Sequence, residues 1–179
     1  MKPAITPSNL EKKLGEEDFI VSKTDASGRI TYANRIFMEI AGYPEHELLG
    51  VQHNIIRHPD MPRGVFRFMW NTLKAGEEFF GFAKNLCADG AYYWVFANIT
   101  PDYDKDGQLQ GYYSVRRHPP RSAIEVLSPI YKEMLAIENR CSAKEAPDKS
   151  LEYLFDVVNH TGAKNYNNLV LSLYKPEGA

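Results

Sequence analysis

Two asparagines carry side chains that are well suited to binding the polar edge of a ring. Asn34 and Asn85 are amides, which both donate and accept hydrogen bonds. Asn85 falls inside an apolar run that is typical of a strand, where asparagine is rare and an amide facing a core needs a partner. Asn34 also fits a simpler role, because asparagine is a preferred N-cap of helices.

The polar segment from His53 to Pro62 contributes charged groups. Arg57 and the start of a following helix can neutralise a phosphate, while His58 and Asp60 can hydrogen-bond a nucleoside. The alternative is a surface loop in which Asp60 caps the helix that begins at Pro62. We expect no metal site, because the spacing of His53 and His58 does not place both on one helical face.

Groups that could perform covalent chemistry are few. The 179 residues include two cysteines, Cys87 and Cys141, which lack the Cys-x-x-Cys spacing of redox and zinc motifs. The sequence also contains no nucleophile motif, phosphate loop or kinase signature. We therefore expect a binding protein and not an enzyme.

Composition and charge narrow the class of protein further. A formal charge of −2, from 21 basic and 23 acidic side chains, provides no bulk attraction for nucleic acid or anionic lipid. No apolar stretch approaches the roughly 20 residues of a transmembrane helix, and the N-terminal residues lack the apolar centre of a signal peptide. We expect a folded cytoplasmic protein with no membrane segment and no nucleic acid partner.

Turn signals and apolar periodicity predict an α+β domain. The predicted strands are 19–24, 29–33, 79–86, 91–99 and 109–117. Helical spacing predicts a short helix after Asn34 and a longer one from Pro62 to Gly76. We expect these elements to form a five-stranded antiparallel sheet with short helices on one face.

Beyond residue 120 the pattern becomes helical. Apolar residues recur every three or four positions from Ile124 to Ile137, and Pro129 predicts a helix start or a kink among them. This apolar face either forms a docking or homodimer surface or packs on the protein's own sheet. Two shorter amphipathic helices follow. The predicted divisions are a lead-in 1–17, a domain 18–120, a helix 121–140 and a helical extension 141–179.

Three short strings accompany this order of elements: Tyr32-Ala-Asn34, Gly42-Tyr43-Pro44-Glu45 and Arg57-His58-Pro59-Asp60-Met61-Pro62. Together they closely resemble the PAS domain of bacterial aerotaxis receptors. The first two strings are general PAS features, whereas the third is narrower and points to the aerotaxis branch. Those receptors continue into a membrane anchor and a long signalling hairpin, which are not found in this sequence. The resemblance therefore implies a soluble relative or an excised sensor.

This resemblance implies a PAS fold that binds FAD noncovalently. The residues that it assigns to cofactor binding are Asn34, Arg57, His58, Asp60, Phe66, Trp70 and Asn85. The two asparagines would meet the flavin edge, and the charged group would meet the pyrophosphate and adenosine. Light-sensing relatives carry an adduct-forming cysteine in the string Asn-Cys-Arg-Phe. That region here reads His-Asn-Ile-Ile-Arg, so we expect no photochemical adduct.

The implied function is a redox or oxygen sensor of the energy-taxis type, with a signalling protein or receptor domain as partner. Our hypothesis is that a redox change at the flavin edge is read by Asn85, disturbs the strand hydrogen bonds and moves the helix that begins near Ile124. Two alternatives remain. One is a cofactor-free PAS module for dimerisation or docking, and the other is a haem gas sensor with His53 or His58 as ligand.

Overall fold

An antiparallel sheet of five strands forms the centre of the computed structural model, which describes residues 5–174. The strands are β1 (Ile20–Asp25), β2 (Ile30–Ala33), β3 (Phe79–Leu86), β4 (Tyr92–Tyr103) and β5 (Leu109–Arg117). Their spatial order is β2-β1-β5-β4-β3, so the first and last strands of the chain pair directly. The predicted fold class is confirmed.

Short helices between β2 and β3 cover one face of the sheet. They are α1 (Arg35–Ala41), α2 (Glu45–Leu48), a 3₁₀ turn (His53–Ile56) and the longer α3 (Arg63–Lys74). The Asn34 side chain caps α1 by accepting a hydrogen bond from the Phe37 N–H. The helix ends at Gly42, whose φ of 74° lies in the left-handed region that glycine adopts without strain.

Three helices follow β5: α4 (Arg121–Arg140), α5 (Ala146–His160) and α6 (Tyr166–Leu173). The Tyr131 hydroxyl of α4 donates to the Phe82 carbonyl at 2.9 Å, and its ring stacks on Trp94 at 6.3 Å. Trp94 lies on the face opposite its neighbours Tyr93 and Val95, which pack with the short helices. The apolar face of α4 therefore packs on the protein's own sheet. No helix within residues 5–174 is long and apolar enough to cross a membrane.

The prediction at Pro129 was a helix start or a kink. The helix α4 continues through this residue, so the helix start is wrong, while the kink stays a prediction. A proline inside a helix removes one backbone hydrogen bond and crowds the preceding turn. On either side of it, however, Leu127, Tyr131 and Met134 are buried in the core. Their packing stabilises the helix across the proline.

The last helix, α6, packs against β3, which is an edge strand of the sheet. Tyr166 of α6 stacks on Phe79 at 6.1 Å, and Tyr174 stacks on Phe96 at 4.0 Å. Apolar residues of α4, α5 and α6 share one core with α3.

The described part of the lead-in, residues 5–17, runs alongside the start of β4. Glu11 forms a parallel bridge with Tyr92, and the Ser8 N–H donates to the Gly90 carbonyl at 2.8 Å. Leu14 is buried. This segment is therefore packed against the domain.

The contact between α3 and α5 depends on the absence of a side chain at Gly64. A Cβ atom there would lie 3.0 Å from both the Leu151 nitrogen and the Pro147 oxygen, and it would also meet the Ser150 hydroxyl. We expect Gly64→Ala to lower the free energy of unfolding by about 1–3 kcal/mol, because backbone atoms cannot move aside cheaply. Urea unfolding measures this change.

A double-mutant cycle provides the control. Combining Gly64→Ala with Ser150→Ala should cost less than the sum of the two single changes, because the hydroxyl that crowds the new Cβ is then removed. Wild-type stability in the Gly64→Ala protein would contradict the close packing of the two helices.

Candidate ligand-binding site

A cavity of about 240 Å³ lies between α3 and the face of the sheet that the short helices cover. We call it the main cavity. Most of its strand residues come from alternate positions: Ser22 and Thr24 of β1, Phe79, Gly81, Ala83 and Asn85 of β3, Ala97 and Ile99 of β4, and Tyr112, Ser114 and Arg116 of β5. Phe82 of β3 lines it as well. One part of this lining is apolar and the other is polar.

The apolar part has flat walls. Phe66 and Trp70 of α3 are four residues apart and therefore lie on the same side of the helix. Trp70 packs edge to face against Tyr112, with ring centroids 5.3 Å apart. Gly81 carries no side chain, and a Cβ atom there would lie 2.7 Å from the Phe79 ring. This arrangement suits a planar aromatic ligand.

Arg116 lies at the polar end of the main cavity and is only 3% exposed. Its Nε donates to Ser114 Oγ at 3.0 Å, and its Nη2 donates to the Ser22 hydroxyl and lies 3.0 Å from His53 Nε2. The Phe37 ring centroid is 4.8 Å from the guanidinium carbon. These partners carry no negative charge. Among residues 5–174, Arg116 Nη1 has no hydrogen-bond partner.

The protonation states leave one positive charge at this polar end. Burial lowers the pKa of Arg116 to about 10, so the group remains cationic at neutral pH. Burial, followed by the charge of Arg116, lowers the pKa of His53 to about 3, so this ring is neutral and its Nε2 accepts. A buried charge without a counter-charge is unfavourable. The site is therefore complementary to an anionic or electronegative group of a ligand.

Four of the seven predicted binding residues line the main cavity: Arg57, Phe66, Trp70 and Asn85. Asn85 is 7% exposed, lies opposite Tyr93 in the β3–β4 register and forms a backbone bridge with Arg57. The Arg57 guanidinium lies 4.2 Å from the Phe66 ring centroid and donates to the Met61 carbonyl at 3.0 Å. Arg57 thus lies at the end of the cavity next to the start of α3.

Asn34 does not line the main cavity, and its side chain makes structural hydrogen bonds. Its Oδ1 accepts from the N–H groups of Val21 and Phe37, at 3.0 and 3.1 Å. Its Nδ2 donates to the Phe19 carbonyl at 2.7 Å. These bonds join β1 to the start of α1. Asn34 therefore has the helix-cap role that was the simpler alternative from the sequence, and it also holds β1 in place.

His58 and Asp60 also lie outside the main cavity. The buried ring of His58 accepts the Asp60 N–H at Nδ1, at 3.0 Å, and the exposed Asp60 carboxylate pairs with Lys84 at 2.6 Å. His58 lines a second space of about 300 Å³, which we call the side hollow. Its residues are Arg57, His58, Pro59, Met61, Arg63, Leu135 and Glu138. Because Arg57 and Met61 line both spaces, the side hollow adjoins the main cavity.

Ser22, Ser114 and Arg116 were not predicted from the sequence, and His53 was predicted only as a possible metal or haem ligand. One sequence pattern could have indicated two of them, because alternation along β5 places Ser114 and Arg116 on the same face as Tyr112. The pairing of Ser22 with Ser114 is a contact between distant strands, which local patterns do not reveal.

Other kinds of site find little support in the described residues. Within residues 5–174, no three His, Cys, Asp or Glu side chains form a group that could hold a metal ion. His53 Nε2 is already within hydrogen-bond distance of Arg116 and Ser22. Cys87 does not line the main cavity, its thiol donates to the Ile40 carbonyl at 3.2 Å, and burial raises its pKa to about 11.

Comparison with known proteins agrees with the fold described above. The family model described as PAS fold matches residues 30–116. The aerotaxis receptor of Escherichia coli (strain K12) is 40% identical over 134 residues, which are 75% of this chain and 26% of the receptor. The nitrogen fixation regulatory protein of Klebsiella pneumoniae is 34% identical over 97 residues, which are 54% of this chain and 20% of that protein. This chain thus spans about a quarter or less of these relatives.

Solved structures share the fold. The dark structure of the blue-light photoreceptor Aureochrome1 LOV matches with a TM-score of 0.55 and 22% identity, over 63% of this chain and 83% of that chain. A light-oxygen-voltage domain studied with a flavin analogue matches with a TM-score of 0.54 and 22% identity, over 61% and 82% of the two chains. At this identity, the likeness concerns the fold alone.

The buried, neutral His53 makes a pH-dependent contribution to stability. Its pKa is about 3 in the folded protein and near the usual value of about 6.5 in the unfolded chain. Between these values the unfolded state binds a proton that the folded state does not, so stability falls as the pH is lowered from about 6.5 toward 3. His53→Gln retains an acceptor but binds no proton. We expect it to lose less stability below pH 6, by up to about 1.4 kcal/mol per pH unit.

Urea unfolding of the two proteins at pH 7, 6 and 5 measures this difference. His46→Gln is the matched control, because His46 is an exposed histidine of α2. Parallel pH curves for wild type and His53→Gln would contradict the neutral, buried state of His53.

Proposed function

Residues 30–116 belong to the PAS family, in a chain related to the E. coli aerotaxis receptor, and on this premise we propose that the chain is a redox sensor. It binds FAD in the main cavity, reports the redox state of the cofactor to a partner protein in the cytoplasm, and catalyses no reaction. The observation that carries this proposal is the buried positive charge of Arg116 in a cavity with flat apolar walls.

The residues of the main cavity fit a flavin. A flavin ring requires flat apolar walls and hydrogen-bonding groups at its polar edge, and its phosphates require a cation. Phe66 and Trp70 supply the walls, Asn85 and Arg116 the polar groups, and Arg57 the cation. With about 240 Å³, the cavity is smaller than the roughly 300 to 1,000 Å³ of common ligand pockets. It suits the ring, and the remainder of a dinucleotide would extend past Arg57.

The charge of Arg116 supports a redox function in particular. A bound flavin supplies reversible electron transfer, which adds electrons to the ring. Arg116 favours the added negative charge, because among residues 5–174 its guanidinium contacts no carboxylate and it lies in a buried site where electrostatic interactions are strong. Compared with a neutral pocket, this pocket should therefore raise the reduction potential of the flavin.

A short path connects the main cavity to the C-terminal helices. Asn85 faces the cavity from β3, and on the same strand the Phe82 carbonyl accepts the Tyr131 hydroxyl of α4. A changed hydrogen bond at Asn85 that shifts β3 would alter how α4 packs on the sheet. The output is then a changed docking surface on the C-terminal helices.

The geometry disfavours the two alternative functions. A haem in the main cavity would need an available histidine nitrogen, but His53 Nε2 is engaged by Arg116 and Ser22, and His58 lies outside this cavity. A cofactor-free docking module would leave the charge of Arg116 buried without compensation, at a cost in stability.

The absorbance spectrum of the purified protein, supplied with FAD, tests the proposed function. We expect two bands near about 375 and 450 nm that bleach with dithionite, and FAD in the supernatant after denaturation. A sharp Soret band would favour the haem sensor instead. A featureless spectrum from folded protein would favour the docking module.

The role of Arg116 has a matched test on the same strand. Arg116→Met removes the charge but keeps an apolar chain of similar length, so we expect the bound flavin to be harder to reduce. Its midpoint potential should fall by about 30 mV or more, which corresponds to roughly 1.4 kcal/mol for two electrons. Arg117→Met is the control, because Arg117 is exposed and points to the opposite face of β5. Equal potentials in wild type and Arg116→Met would contradict this role.

A further inference from the structure

Glu138 is a buried carboxylate at the point where three helices meet. It belongs to α4 and is 7% exposed. Its Oε1 accepts the Gly64 N–H of α3 at 2.9 Å and the Ser150 hydroxyl of α5 at 2.7 Å. Its Oε2 lies 3.5 Å from Arg63 Nε. One carboxylate therefore joins α4 and α5 to the helix that forms the apolar wall of the main cavity.

Glu138 also lines the side hollow, together with Arg57 and Arg63. Burial lowers the pKa of Arg57, and the charge of Glu138 opposes this effect. The carboxylate is thus close enough to Arg57 to act as an internal counter-charge. Among the residues that line the hollow, it is the single acidic side chain.

The position of this carboxylate matters for a ligand with a phosphate tail. The side hollow adjoins the main cavity at Arg57 and Met61, so the tail of a dinucleotide that passes Arg57 enters the space lined by Glu138. A pyrophosphate and a carboxylate repel each other strongly in such a partly buried space. Riboflavin has no phosphate and avoids this repulsion.

We propose that Glu138 is an internal anion at the phosphate end of the cofactor site, so that dinucleotide binding and the docking of α5 on α3 oppose each other. This inference rests on the proposed function. Coupling between two sites is reciprocal. A partner that draws the C-terminal helices away from α3 therefore tightens the binding of the dinucleotide, and the dinucleotide loosens these helices for the partner.

The first experiment uses the wild-type chain and requires no substitution. Amide hydrogen exchange of α5, residues 146–160, is measured by mass spectrometry with FAD, with riboflavin and without ligand. We expect FAD to speed exchange in α5 by at least about fivefold, whereas riboflavin leaves it unchanged. If FAD slows exchange in α5 or leaves it unchanged, the proposal is overturned.

The second experiment measures affinity in variants. Glu138→Gln retains an acceptor for Gly64 and Ser150 but removes the charge, so FAD should bind about fivefold or more tightly while riboflavin affinity stays the same. Glu133→Gln makes the same charge change at an exposed position of α4 and should alter neither affinity. Equal changes for FAD and riboflavin, or weaker FAD binding, would overturn the proposal.

Hydrogen exchange with inorganic pyrophosphate tests the role of Glu138 independently of flavin binding. If no flavin binds to any variant, the proposed function fails, yet the antagonism can still be measured. Pyrophosphate should then speed exchange in α5 of wild type and have no such effect in Glu138→Gln. Identical responses of the two proteins to pyrophosphate would overturn the role of Glu138.

Discussion

The pleat of β3, β4 and β5 assigns alternate residues to two buried faces, and both the main cavity and the helical cover depend on this register. Asn85 and Arg116 point toward the cavity, whereas Trp94 stacks on Tyr131 of α4 on the other face. Strands buried on both faces consist of nearly continuous apolar runs, as from Tyr93 to Ala97. A shift of one residue would exchange the two faces and remove Arg116 from the cavity. The same strands can therefore bind a ligand on one side and hold α4 on the other.

Two buried charges of opposite sign lie at different ends of this arrangement, and they are satisfied in different ways. Glu138 has two hydrogen-bond donors and the nearby guanidinium of Arg63, so its charge is balanced within the chain. Within the described residues, the hydrogen-bond partners of Arg116 are the neutral groups of Ser22, Ser114 and His53. The uncompensated charge of Arg116 means that the protein is stabilised when a negative group enters the cavity. Glu138, in contrast, holds helices together, and its contacts are disturbed when an anionic ligand group comes close.

Several parts of the fold could be predicted because they depend on neighbouring residues. The turns between strands, the cap at Asn34 and the apolar spacing along α3 are local features, and the structure has them near the expected positions. Prediction of the site was less complete. Arg57, Phe66, Trp70 and Asn85 line the main cavity, whereas His58 and Asp60 lie beside it, because the direction of a side chain in a loop depends on what packs around that loop. For Pro129, local propensity was overridden by burial of the residues around it.

Local sequence was thus sufficient for the fold class and for most elements, since turn chemistry and periodicity act over a few residues. Tertiary structure alone decided which charges are buried and what they contact. Ser22 and Arg116 meet although they are 94 positions apart, and Glu138 reaches Gly64 across 74 positions. Nothing in the local pattern around an arginine or a glutamate distinguishes a solvated side chain from one enclosed by distant strands and helices. The energy of a charge depends on that enclosure, and so the properties of this site arise only when the sheet and the C-terminal helices have come together.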